Sequence, residues 1–278
     1  MHTIRILMAG LFALLMFWAS PLAAQSDIKE QIVVPLTDPG KAAFLNVALV
    51  HGSIRVMGTT GKDIIIDAVT SARKGDRDDK ADASASGMKR ISNTGGMDLR
   101  AEEKDNQVKV HSDSWKRPVD LTIKVPQRCS LKLNTINNGE ITVDNVTGTL
   151  EISNVNGAIQ LSNISGSAVA NTVNGNLVAS FKTIDNDVPM AFSTLNGTID
   201  VTFPATLKAA VKLKSDQGDI YSDFDIDVDK SLPKSSRSEK NGMYRVTVEE
   251  WVKGKINGGG PEMMMKNMHG NIYVRKAK

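Results

Sequence analysis

The sequence predicts an all-β fold, a single-stranded parallel β-helix (β-solenoid), and three observations predict it. Gly139, Gly148, Gly157, Gly166 and Gly175 stand nine residues apart. Apolar residues recur two, four and seven positions after the first four of them. Every second glycine is preceded by Asn, at Asn138, Asn156 and Asn174. The apolar sets are Ile141/Val143/Val146, Leu150/Ile152/Val155, Ile159/Leu161/Ile164 and Ala168/Ala170/Val173. Alternation marks a short strand with one buried face. The third apolar position breaks the alternation, so the chain is expected to bend before it and turn that side chain inward. Glycine supplies a corner that a Cβ would strain.

An antiparallel meander is the competing reading, because Asn-Gly is a strong hairpin signal. It requires strands of about seven residues with unbroken alternation, and the break contradicts it. In a solenoid equivalent residues stack, coil on coil. The period is then 18, with Asn-Gly at one corner and Thr147-Gly148 or Ser165-Gly166 at the other. Longer coils of up to 22 residues bring the next corner to Asn196-Gly197. Gln217-Gly218 and His269-Gly270 supply later corners. Ile199 and Val201 join the expected core, as do Val155 and Val173. Right-handed coiling is expected from the general crossover preference. Two strands with long corners or three short strands would both fit 18 residues.

The elements follow in chain order. Residues 1–24 look like a signal peptide: Arg5, an apolar run from Ile6 to Trp18, then Leu22-Ala23-Ala24 before Gln25. That run is shorter than the ~20 apolar residues of a spanning helix, and no later stretch could cross a bilayer. Residues 25–278 form one solenoid domain, and the protein is expected in the periplasm, at the cell surface or outside the cell. Gln31 to Pro35 and Ala43 to Val50 are strands. Ile54 and Val56 follow Gly52 at the repeat offsets. Ile64 to Ala68 is a strand, and residues 71–96 are a charged, Ala/Ser-rich excursion. The excursion admits a short helix near 78–91 over one end of the solenoid, or a solvated loop. Strands resume over Met97 to Ala101, Gln107 to His111 and Val119 to Pro126, ahead of the regular coils. Residues 230–242 form a polar loop, Met243 to Val252 a strand, and Met263, Met265, Ile272 and Val274 the last apolar strands.

Gly52-Ser53-Ile54-Arg55-Val56, Ile123-Lys124-Val125-Pro126, the Asn-Gly coils and the ending Gly259-Gly260-Pro261 … His269-Gly270-Asn271-Ile272-Tyr273-Val274 come in a characteristic order. In this the chain resembles the bacterial secreted putative-adhesin family of β-strand-repeat, LiaG-like proteins, over roughly residues 30–276. The resemblance implies a β-helical envelope protein and carries no catalytic residue.

Composition narrows the function further. The chain holds 34 basic and 31 acidic residues, too balanced for a dedicated nucleic-acid binder. Cys129 is the single cysteine, which excludes an internal disulfide. No catalytic motif occurs. Asp223, Asp225, Asp227 and Asp229 alternate with Phe224, Ile226 and Val228. Same-face neighbours in a strand lie ~7 Å apart, too far for all four to reach one cation, so they read as a solvated acidic face. His51 and His269 read as corner groups, Met263 and Met265 as core, and Trp115 and Trp251 as packing residues. No catalytic, cofactor-binding or metal-ligating residue is assigned, and no cofactor is expected. The expected function is an exported, non-enzymatic binding or scaffold protein of the cell envelope, with envelope proteins or surface glycans as partners. A polysaccharide-active enzyme, or an assembly protein with a stress-response accessory role, is the alternative.

Overall fold

The computed structural model describes residues 28–70, 97–112, 114, 117–137, 139–185, 187–229, 235–240, 243–248 and 251–278. The expected signal segment, the excursion at 71–96 where a short helix near 78–91 or a solvated loop is expected, Asn138 and Trp115 lie outside the described residues. Those described are all-β, with 22 strands numbered here in chain order.

Each coil consists of one strand in a face A and one in a face B. The regular block is β8 (Cys129–Asn137) and β9 (Ile141–Asp144), then β10 (Thr147–Asn154) and the start of β11 (Ile159–Asn174). The rest of β11 pairs off with β12 (Leu177–Ile184), and β13 (Met190–Asn196) with β14 (Ile199–Phe203). All stack in parallel: Leu150 lies on Leu131 and Ala168, and Ile159 on Ile141 and Leu177. Two strands per coil is therefore the solution, with β11 running through both faces.

Stacking order departs from chain order at both ends. The coil of β2 (Ala43–His51) and β3 (Ile54–Thr59) sits between β8–β9 and the coil of β6 (Gln107–Ser112) and β7 (Asp120–Pro126). The last coil, β21 (Glu262–His269) and β22 (Ile272–Lys276), lies between β13–β14 and the coil of β15 (Ala209–Gln217) and β16 (Ile220–Ser222). The first and last coils in sequence are thus each clamped on both sides.

Antiparallel strands finish the stack. At one end β5 (Leu99–Lys104) pairs with β6, while β4 (Ile64–Thr70) pairs with β7 and with β1 (Ile28–Val34). At the other, β20 (Val252–Ile256) pairs with β15 and with the short β17 (Ile226–Val228). Charged edges such as Lys29-Glu30 and Arg100-Ala101-Glu102-Glu103 discourage pairing with another sheet. β18 (Ser235–Lys240) and β19 (Met243–Val248) form a separate hairpin. Within the loop expected over 230–242, residues 235–240 are instead a strand, the rest lying outside the described residues: alternation in Tyr244-Arg245-Val246 is matched by a partner too polar to be recognised.

The core lies between the faces. Ile141, Val143, Val146, Leu150, Ile152, Ile159, Leu161, Ile164, Ile199 and Val201 are buried. Ala168, Ala170 and Ala179 leave room in one coil for Phe181, Phe192 and Phe203, whose rings touch at centroid separations of 5.3–6.4 Å.

Val155 and Val173 are corrections to the expected core. Val155 is half-buried and Val173 is 37% exposed. The cause is that the two corners work differently. At the Thr-Gly and Ser-Gly corners, Asn145 and Asn163 take φ of 57° and 56°, and that bend returns Val146 and Ile164 to the core. At the Asn-Gly corners the strand runs on unbent. Asn154 and Thr172 therefore point inward and are buried, and the valines after them point out.

Candidate functional site

The inward polar residues form a ladder at the Asn-Gly corner. Thr135 Oγ1 donates to Gly52 O at 2.9 Å, Asn154 Nδ2 to Gly139 O at 2.8 Å, and Thr172 Oγ1 to Gly157 O at 3.0 Å. Thr194, Asn267 and Ser215 continue it on Gly175, Gly197 and Gly270 at 3.0, 3.1 and 2.9 Å. Each bond ties one coil to the corner of its neighbour. A Cβ at Gly139, Gly157, Gly175, Gly197, Gly218 or Gly270 would strike the corner carbonyl of the adjacent coil. That close approach is the physical reason for glycine there. Gly148 and Gly166, at the opposite corner, hold φ of 159° and 119°.

Outside this corner runs a second ladder. Asn156 Nδ2 donates to Asn137 Oδ1 at 3.4 Å, Asn174 Nδ2 to Asn156 Oδ1 at 2.9 Å, and Asn196 Nδ2 to Asn174 Oδ1 at 2.7 Å. Asn137 fills the place that the sequence assigned to Asn138. His51 and His269 occupy the same register, as does Gln217. Beside the ladder, on the outer surface of face A, lies an apolar row. Ile136, Val173, Leu195 and Met268 are 37–44% exposed, with Val155 half-buried among them and Val50 half-buried at the end beyond Ile136. The row crosses six coils. Sequence reading missed it because Val155 and Val173 stand at the same offset from glycine as the core residues Val146 and Ile164.

Face A changes character at its far end. Lys212 on β15 lies directly opposite Lys253 on β20, and Lys214 lies directly opposite Lys266 on β21. Lys212 and Lys214 hold their ammonium groups 4.5 and 5.9 Å from the Trp251 ring centroid. An open depression of about 490 Å³ adjoins them, lined in part by Lys212, Lys253, Lys255, Asp227, Asp229 and Glu262.

The outer surface of face B carries a stacked pair, Tyr221 and Tyr273, with ring centroids 5.2 Å apart. Asp219 accepts from the Tyr221 hydroxyl at 3.2 Å and its charge raises that phenol's pKa. Arg275 forks onto both carboxylate oxygens of Asp200 at 2.7 and 2.8 Å. The acidic run does not share one strand face. β17 holds only Asp227, opposite Lys255, while Asp223 Oδ2 accepts from the Lys276 amide. No group of three or more potential ligands converges among the described residues. Cys129 is buried, and loss of hydration pushes its thiol up to about 12. Met263 and Met265 are core. Among the described residues no helix is long and apolar enough to cross a membrane.

The model of the Toastrack DUF4097 family matches residues 79–257. The match leaves out β1 to β4, the whole first coil among them, and all of the last coil. No curated protein matches the chain. Among solved structures, a putative cell adhesion protein from Clostridium sporogenes is 12% identical, with a TM-score of 0.44 over 91% of this chain and 100% of that one. A putative adhesin from Bacteroides fragilis is 9% identical, with a TM-score of 0.28 over 91% and 97%.

Proposed function

This chain belongs to the Toastrack DUF4097 family, and from that premise we propose that it is an exported, non-enzymatic scaffold of the bacterial cell envelope that binds an envelope protein along face A. The observation that carries this is the row of exposed Ile136, Val173, Leu195 and Met268, joined by half-buried Val155, beside the asparagine ladder. Apolar surface of this continuity, rimmed by polar groups, is what protein interaction sites offer. The row is aliphatic, so it suits the side chains of a protein segment better than the stacking face of a sugar. The interior ladder and clamped end coils hold it rigid. Charged, reversed end strands speak for a single rod over end-to-end filaments.

Photo-crosslinking in cells tests the proposal. A photoreactive residue at Leu195 is expected to capture one envelope protein, and one at Thr142 on face B is not. The exported chain is expected to start at Gln25. Equal capture at both positions, a cytoplasmic chain retaining residues 1–24, or new reducing ends from purified protein on a glycan panel would each overturn it.

A further inference from the structure

We propose that the end of face A built by β21, β15 and β20 is a binding site for an acidic polysaccharide, separate from the apolar row. This end of face A contains two strand pairings that the fold does not favour. Like charges directly opposite each other destabilise a sheet. Elsewhere on this same surface the chain avoids the problem: Lys132 meets Glu151 of the next coil at 2.7 Å. At this end it places Lys opposite Lys twice, Lys212 with Lys253 and Lys214 with Lys266. Only Lys214 of these four has a carboxylate within 4 Å among the described residues, Asp216 at 3.2 Å. Trp251 holds Lys212 and Lys214 against the sheet through its ring face, which positions the ammoniums without neutralising them. The result is a fixed cluster of positive charge across three adjacent strands, spaced ~4.8 Å apart. That step is comparable to the length of a sugar ring in an extended polymer.

The adjoining depression identifies the ligand more closely. Its lining mixes Lys212, Lys253 and Lys255 with Asp227, Asp229 and Glu262. A polyphosphate or a nucleic-acid backbone offers chiefly anionic acceptors there and is repelled by the three carboxylates. A uronate-type glycan offers carboxylates to the lysines and hydroxyl donors to the acids. Its volume of about 490 Å³ suits one short stretch of such a chain.

Calorimetric titration of oligogalacturonate into the purified full chain is the test, with a neutral oligosaccharide of the same length and inorganic polyphosphate in parallel. Oligogalacturonate should bind, more weakly as salt rises, and the neutral sugar should not. Lys212→Gln with Lys253→Gln should weaken binding at least tenfold, and Lys132→Gln should leave it unchanged. Lys266→Glu should weaken binding at least tenfold while leaving the melting temperature the same or higher, since it faces Lys214 on one side and Ser193 on the other and turns a like-charge pair into an opposite-charge one. That combination separates a ligand site from a structural role. No binding of oligogalacturonate, binding indifferent to the lysine variants, or equal binding of polyphosphate would overturn the proposal. Crosslinking at Leu195 is read separately, so either idea can fail alone.

Discussion

Gly157→Ala isolates the contact on which the Asn-Gly corner is built. The backbone of Gly157 does not have a positive φ, so alanine costs nothing in dihedral strain. The whole cost is steric. Its Cβ would strike the carbonyl oxygen of Gly139 and lie 2.8 Å from Asn154 Nδ2. Gly139 O is the acceptor for that same buried amide. Moving the carbonyl away strands an Asn154 side chain whose Oδ1 has no partner among the described residues. A buried polar group left unpaired costs about 1–3 kcal/mol. Forcing a methyl group into a packed site costs about 1–3 kcal/mol more. The expected destabilisation is roughly 2–6 kcal/mol, the sum of those two costs. Gly258→Ala is the control. Gly258 has φ of 86° and open space around its missing Cβ, so alanine there costs only the left-handed backbone, about 1–2 kcal/mol. Both variants stiffen the unfolded chain alike, so that contribution cancels in the comparison. Urea unfolding followed by circular dichroism measures both. If Gly157→Ala unfolds at the same urea concentration as Gly258→Ala, or at a higher one, the coils do not interlock at that corner as described.

Three other perturbations have expected outcomes. Asn267→Thr should stabilise the protein by about 1 kcal/mol in the same urea assay, because Thr172 and Thr194 make the equivalent bond while Asn267 buries an unpaired Oδ1. Above pH 9.0 the Cys129 thiol ionises in the unfolded chain but stays protonated in the folded one until about pH 12. Stability should therefore fall as pH rises through that window, and Cys129→Ala should reduce the slope. Deleting residues 262–278 removes the strands between β13–β14 and β15–β16, and should leave Leu213 and Phe192 accessible to limited proteolysis of the surrounding strands, whereas deleting only 277–278 should not.

Much of the architecture was legible because a solenoid writes its period into the chain. Ile141, Ile159 and Leu177 are spaced as the stack is, and the alternation around them assigns the buried side. Val155 and Val173 misled because alternation alone cannot tell an unbent corner from a bent one. The deciding residues are Asn163, which bends the backbone through positive φ, and Thr172, which goes inward to a carbonyl. Both are polar residues at the same offset from glycine. The clamping of the first and last coils was not legible either. Ile54 and Val56, or Met263 and Met265, have the same apolar pattern as every other rung, so local sequence fits several slots equally well. The lysine cluster was hidden for a different reason. Lys212 and Lys253 are far apart in sequence and meet only through the antiparallel register of β20 on β15.

Disulfide mapping of coil order tests the central claim most directly. Ser193 lies in register with Lys266 of the last coil, and Lys266 in turn separates it from Lys214. All three point outward, and Cys129 is buried out of reach. In-register neighbours fall within disulfide range, whereas residues two coils apart, ~9.6 Å, do not. Mild oxidation should therefore close Ser193→Cys with Lys266→Cys and leave Ser193→Cys with Lys214→Cys open. Closure of the second pair and not the first would show coils stacked in simple chain order, and would contradict the clamped rod on which both binding proposals rest.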